Sequence, residues 1–150
     1  MTDLKKRAES GDAEAQNQLA AEYLMAEPPD FDEAVKWLRM AADQGNAGAQ
    51  NNLGTLYING EGVKQGDKEA AKLFRKAAEQ GTAAAQANLG NCCAMGRGVP
   101  QSWEEAYFWW SLGFNDDEGA ELLAEAASHL TPEQKAVVAQ RIADAKHAGK

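Results

Sequence analysis

Three stretches decide the fold: GDAEAQNQLAAEYL at residues 11–24, GNAGAQNNLGTLYI at 45–58 and GTAAAQANLGNCCA at 81–94. They share the pattern G-x-A-x-A-Q-x-x-L-[AG] and start 34 and then 36 residues apart. Ala13 and Ala15, Ala47 and Ala49, and Ala83 and Ala85 are equivalent. So are Gln16, Gln50 and Gln86, and Leu19, Leu53 and Leu89. A period of this length marks a repeated supersecondary unit.

Each stretch is followed by a second one: FDEAVKWLRMAADQ at 31–44, DKEAAKLFRKAAEQ at 67–80 and WEEAYFWWSLGFND at 103–116. Ala34, Ala70 and Ala106 align, as do the bulky pairs Trp37/Leu38, Leu73/Phe74 and Trp109/Trp110. Apolar residues recur every three or four positions in both halves, which is the helix period. Pro28-Pro29, Gly60-Glu61-Gly62 and Gly96-Arg97-Gly98-Val99-Pro100 punctuate the halves. Each unit therefore reads as a hairpin of an A helix (near 12–26, 46–59 and 82–95) and a B helix (near 30–43, 67–79 and 102–114). Small residues at Ala15, Ala20, Gly54 and Gly90 allow the paired helices to approach, with Leu19, Leu53 and Leu89 in the seam. One hairpin cannot bury its apolar side alone, so stacked neighbours are expected to complete the core.

The ends extend the same scheme. Residues 1–10 read as a partial B helix, residues 11–44, 45–80 and 81–116 as repeats, and 117–150 as a closing helix pair, all in one domain. Thr131-Pro132-Glu133-Gln134 is a helix start, with Thr131 as N-cap and Gln134 closing a capping box. The last helix is expected to cover the third repeat with Val137, Val138, Ile142 and Ala145, while Lys135, Arg141 and Lys146 face water.

The chain has 150 residues and a formal net charge of −8. Nucleic acid and anionic membrane surfaces both demand a net basic footprint, so neither is the expected partner. No apolar run approaches a membrane span, and no apolar segment follows the basic Lys5-Lys6-Arg7, so a cytoplasmic location is expected. Cys92 and Cys93 are neighbours, and neighbours on a helix diverge by about 100°, which sets them poorly for bonding to each other. They read as small packing residues. No metal-ligand spacing surrounds them, and neither His129 nor His147 stands in a nucleophile–base arrangement. The acidic groups Glu104-Glu105 and Asp116-Asp117-Glu118 lie near helix starts, where they suit the helix dipole. No catalytic residue, metal or cofactor is expected, and the chain does not read as an enzyme. Trp37 and Trp109 are expected in the core; Trp103 and Trp110 are candidates for a partly exposed aromatic cluster with Tyr107 and Phe108.

The A-x-A-Q-x-x-L-G run, Tyr57 four residues after Leu53, the G-x-G-V loops at Gly60–Val63 and Gly96–Val99, and the A-x-x-W-x-x-x-A-A ending together resemble Sel1-like repeats, relatives of tetratricopeptide repeats. The closing LTPEQ helix is similar to the tail of many bacterial members. The first unit lacks the G-x-G-V loop, and the third has Cys93 in place of tyrosine and Leu112-Gly113 in place of Ala-Ala, which suggests local loosening of that unit. The resemblance implies an all-α fold, a right-handed α–α superhelix (solenoid) of helical hairpins. It also implies a scaffold or adaptor that binds a protein or peptide, as a monomer or weak homo-oligomer. The alternative it carries is a β-lactamase-like, penicillin-binding hydrolase, from a cysteine-rich branch whose regular cysteine pairs are missing here.

In tetratricopeptide-like stacks the A helices line the concave side. Carried onto this chain, the groove positions are Asn17, Ala21, Leu24 and Met25; Asn51, Thr55, Ile58 and Asn59; and Ala87, Asn91, Ala94 and Met95, with Asn52 and Asn88 one step around. Such a surface is rich in amides and nearly free of charge. A carboxamide both donates to and accepts from a peptide bond, and methionine adapts to varied apolar partners.

Overall fold

The computed structural model describes residues 2–115, 117 and 119–148. Asp116 and Glu118 of the acidic run lie outside the described residues. Among those described, all regular structure is helical: α1 (Asp3–Glu9), α2 (Ala13–Leu24), α3 (Phe31–Asp43), α4 (Ala47–Asn59), α5 (Asp67–Glu79), α6 (Ala83–Met95), α7 (Trp103–Gly113), α8 (Ala120–Ser128) and α9 (Pro132–Ala148). The three A helices are α2, α4 and α6; the three B helices are α3, α5 and α7. The chain divides into two compact units, residues 1–77 and 78–150, with the boundary inside α5.

In the first unit α1 packs on α2, α2 on α3, and α3 on α4. The core is built from the repeat positions: Ala15, Leu19, Ala20, Ala34, Trp37, Leu38, Ala49 and Leu53 are all buried. The repeated glutamines are buried as well, and each is satisfied by the chain eight residues back. Gln16 Nε2 donates to the Ala8 carbonyl at 3.0 Å and Gln50 Nε2 to that of Ala42 at 3.4 Å. Gln16 Oε1 also accepts from Gln44 Nε2 at 2.8 Å, so its amide is used at both ends. A buried amide left unpaired is costly. The glutamine is therefore a clamp between the end of one B helix and the following A helix.

The second unit repeats the clamp with Gln86 Nε2 donating to the Ala78 carbonyl at 3.2 Å. Here α6 packs on α7, and α7 meets both α8 and α9. A Cβ on Gly90 would stand 2.4 Å from Trp110 Cδ1, and one on Gly113 would stand 2.7 Å from the Ala87 backbone nitrogen. The loosening expected from Gly113 is thus corrected: the missing Cβ brings α7 onto the α6 backbone. In the first unit Gly54 does the same for Phe74, whose ring carbon would be 2.7 Å from an added Cβ.

Local signals set the helix ends. Asp12 accepts from Ala15 N–H at 3.1 Å and Asn46 from Ala49 N–H at 2.8 Å. Gly60 and Gly96 close α4 and α6 in the left-handed conformation, each with φ of 68°. Their G-x-G-V loops have no counterpart after α2, which ends at Met25 with right-handed φ of −88°. The Thr131 box is closed in both directions: Gln134 N–H donates to Thr131 Oγ1 at 3.1 Å, and Thr131 N–H to Gln134 Oε1 at 2.9 Å.

Helix α9 departs from its expected faces. Val138 is fully buried, but Val137 is 53% exposed. Arg141, expected in water, instead pairs with Glu105 of α7 and lies 4.2 Å over the Phe108 ring. The helix period alone placed Arg141 on the outer face; a carboxylate 36 residues away draws it in.

Candidate peptide-binding surface

The surface begins with what two of the three A helices lack; α2 carries Glu14 and Glu22. Neither α4 (AGAQNNLGTLYIN) nor α6 (AAAQANLGNCCAM) contains a single Asp, Glu, Lys or Arg. The B helix α5 (DKEAAKLFRKAAE) has seven. An exposed helical surface without charge is unusual, because charged side chains normally solvate it.

In the first unit the candidate side chains come from α2 and α4. Thr55 and Asn59 are exposed on α4, and Asn51 and Ile58 are half-buried. Met25, at the end of α2, is 81% exposed. Asn17 is half-buried, and its Oδ1 accepts from Asn52 Nδ2 at 3.1 Å. These two amides tie α2 to α4. An added Cβ on Gly48 would meet Asn17 Nδ2 at 2.8 Å, so the small residue at 48 makes room for the tie. Thr55 Oγ1 donates to the Asn51 carbonyl at 3.2 Å. Asn59 Nδ2 donates to Glu61 Oε1 at 3.0 Å.

In the second unit α6 carries the equivalents. Asn91 is exposed, Asn88 half-buried, and Met95 60% exposed. Asn91 Oδ1 accepts from Trp110 Nε1 at 3.0 Å. This bond was not legible in the sequence, since it joins residues 19 positions apart.

The aromatic cluster is redistributed. Trp37 and Trp109 are buried as expected, but Trp110 is buried too, at 2% exposure, and is no contact surface. Gly90 explains the difference, since it opens the space that the indole fills. Trp103 is half-buried and stacks on His129 with ring centroids 4.3 Å apart. His129 also lies 3.3 Å from Glu125. Tyr107 is half-buried and Phe108 buried.

Cys92 and Cys93 are both buried thiols. Among the described residues no group of three or more His, Cys, Asp or Glu is placed to hold a metal ion. No described helix is long and apolar enough to cross a membrane.

Tandem helical hairpins joined by buried glutamine clamps define a helical-repeat protein of the solenoid class. The Sel1 repeat family model matches residues 13–46, 47–82 and 83–114, and the chain belongs to that family. A protective antigen of uropathogenic Escherichia coli, c5321, whose crystal structure displays an SLR fold, is 37% identical, with a TM-score of 0.83 over 93% of this chain. The chain spans 31% of the length of that protein. A Sel1 repeat protein from Oxalobacter formigenes is 32% identical with a TM-score of 0.70, over 73% of this chain and 86% of its own. No curated protein matches.

Proposed function

We propose that the protein is a non-catalytic scaffold that binds an extended peptide segment of a partner protein on the uncharged faces of its A helices. One observation carries this reading: α4 and α6 expose Thr55, Asn59, Asn91 and Met95 and contain no charged residue. A peptide backbone needs donors and acceptors rather than countercharges, and amides and hydroxyls supply both. Met25 and Met95 add deformable apolar contacts.

Asn52 fixes the half-buried Asn17, and Trp110 fixes the exposed Asn91. In the first unit the contacting set is then Asn51, Thr55, Ile58 and Asn59 on α4; in the second unit, taken by itself, Asn91 and Met95 of α6 hold the positions of Thr55 and Asn59, and Asn88 that of Asn52. Peptides selected from a random library against the full chain provide the test, with affinity measured by fluorescence anisotropy. Joint replacement Asn51→Ala, Thr55→Ala and Asn59→Ala should weaken binding at least about tenfold, since each lost hydrogen bond is worth about 0.5–1.5 kcal/mol. Affinity should change little between low and high salt, because no ion pair is involved. Binding untouched by the three replacements, or abolished by salt, sinks the reading.

A further inference from the structure

The first and third repeats place a glutamate and a tryptophan at equivalent positions, and use them differently. In the first, Trp37 Nε1 donates to Glu33 Oε2, one turn back on α3, at 3.2 Å. In the third, the equivalents are Glu105 and Trp109 on α7. There the carboxylate is taken by Arg141 of α9, with Nη1 at 2.9 Å and Nη2 at 3.4 Å. Trp109 Nε1 is buried and has no hydrogen-bond partner. With α9 docked, the carboxylate is directed to Arg141 rather than to the indole, and a buried donor goes unpaired. An unpaired buried donor opposes the state that creates it.

The rest of the α9 contact is thin. Val138 is the buried residue of this 17-residue helix, whereas α3 buries six. Cavities flank the contact. One, of about 480 Å³, lies among Phe108, Trp109, Leu112, Ala145 and Ala148; the other, of about 470 Å³, among Tyr107, Leu130, Ala139 and Ile142. The Arg141–Glu105 pair is about one-third exposed on each side, where solvent weakens it.

We infer that α9 is a displaceable occupant of the α7 face, and that this face docks a partner helix carrying an apolar residue followed three positions later by an arginine. The chemistry of the occupant is read from α9 itself: Val138 fills the apolar site, and Arg141 meets the Glu105 carboxylate and the Phe108 ring. An incoming helix offers the same two groups. When the face is empty, Glu105 is free to accept from Trp109, as Glu33 does from Trp37. Glu105 is the residue that reads the occupant, and the surface is separate from the A-helix faces.

The test adds a fluorescein-labelled peptide copying residues 131–148 to the full chain in trans. The Arg141→Met chain, whose own α9 is weakened, should bind the peptide at least about tenfold more tightly than the unmodified chain. Glu105→Gln introduced into that chain should remove the gain, as should an arginine-to-methionine change in the peptide. In a ¹⁵N–¹H spectrum, with the indole signal assigned through Trp109→Phe, the Trp109 N–H should move downfield in Arg141→Met as it regains Glu105. A purely structural role for Arg141 gives no such shift. Absence of peptide binding to Arg141→Met overturns the inference, whether or not hydrogen exchange shows α9 loosened. Peptide binding indifferent to Glu105→Gln also overturns it. A concentration-dependent dimer of Arg141→Met in place of peptide binding assigns the face to a second copy and overturns the partner-helix assignment.

Discussion

The first and third hairpins descend from one sequence pattern, yet they close by different means. In the third, Gly90 on α6 faces the Trp110 indole at a distance that admits no Cβ. In the first, the equivalent positions hold Ala20 and Leu38, both fully buried. The second hairpin follows the third, with Gly54 against Phe74. A methyl group gained on the A helix is matched by a smaller side chain on the B helix, so the seam stays filled. Dense interiors tolerate exchange when total volume is kept and resist it when it is not. The two residues of each pair are therefore one structural decision.

The largest effect should come from breaking that pair on one side. Gly90→Ala places a Cβ 2.4 Å from the indole and must displace Trp110 together with its bond to Asn91. Overpacking of this kind costs about 1–3 kcal/mol. In the first hairpin Ala20→Gly should cost only about 1 kcal/mol, mostly through helix propensity. Urea titrations of both variants compare them directly. Adding Trp110→Leu to Gly90→Ala recreates the first hairpin's pair, and the double variant should be more stable than the sum of the singles by about 1 kcal/mol. A neutral Gly90→Ala would refute the pairing account.

The glutamine clamp is the feature the hairpins share, and it ranks next. Gln16→Leu keeps the size of the side chain but removes one bond from the Ala8 carbonyl, which keeps Gly11 N–H, and one from the Gln44 amide, which keeps the Met40 carbonyl. The expected cost is about 1–3 kcal/mol for the two lost bonds, read as a lowered urea midpoint with an unchanged slope. Gln86→Leu should behave likewise through the Ala78 carbonyl. If both leave stability unchanged, the clamps are incidental.

The loops separate the hairpins again. Gly96 ends α6 at φ of 68°, whereas Met25 ends α2 at −88°. Gly96→Ala forces a Cβ into the left-handed region, at about 1–2 kcal/mol. Met25→Ala should leave the melting temperature essentially unchanged, since a right-handed cap suits either residue. Equal effects at the two caps would show that loop geometry is not what separates them.

The sequence made the repeats plain because their signals are local. G-x-A-x-A-Q fixes where each A helix starts, and the G-x-G-V loops fix where two of them stop. The observed helices lie within one or two residues of the expected spans for all six hairpin helices. The interactions that escaped notice join residues far apart in the chain. Nothing near Arg141 signals Glu105, and nothing near Asn91 signals that its amide serves an indole 19 residues on. Asn17 read as a groove residue because its helical position faces outward, but α4 brings Asn52 against it. Polar residues on a repeat surface were legible as a class; which of them bind a neighbouring repeat was not, because that depends on how adjacent helices meet.

The smallest contrast lies at the N-termini of the two A helices. Asp12 caps α2 by accepting from Ala15 N–H, while Thr82 begins α6 without a side-chain cap bond. Thr82→Asp should therefore give the third hairpin what the first already has, raising stability by about 0.5 kcal/mol near neutral pH. The gain should depend on acid in the way Asp12 does. The Ala15 N–H and the Arg7 guanidinium hold the Asp12 carboxyl below its ordinary 3.8. A lowered folded-state value means that the stabilising contribution is complete above the ordinary value and fades as pH falls through the folded one. Asp12→Asn keeps an acceptor for Ala15 but loses the ionised partner of Arg7, so its stability should depend less on pH between 5 and about 2 than that of the unmodified chain. Thr82→Asp should steepen the same pH profile. Parallel acid profiles for all three chains would place the acid sensitivity elsewhere and remove Asp12 as a difference between the hairpins.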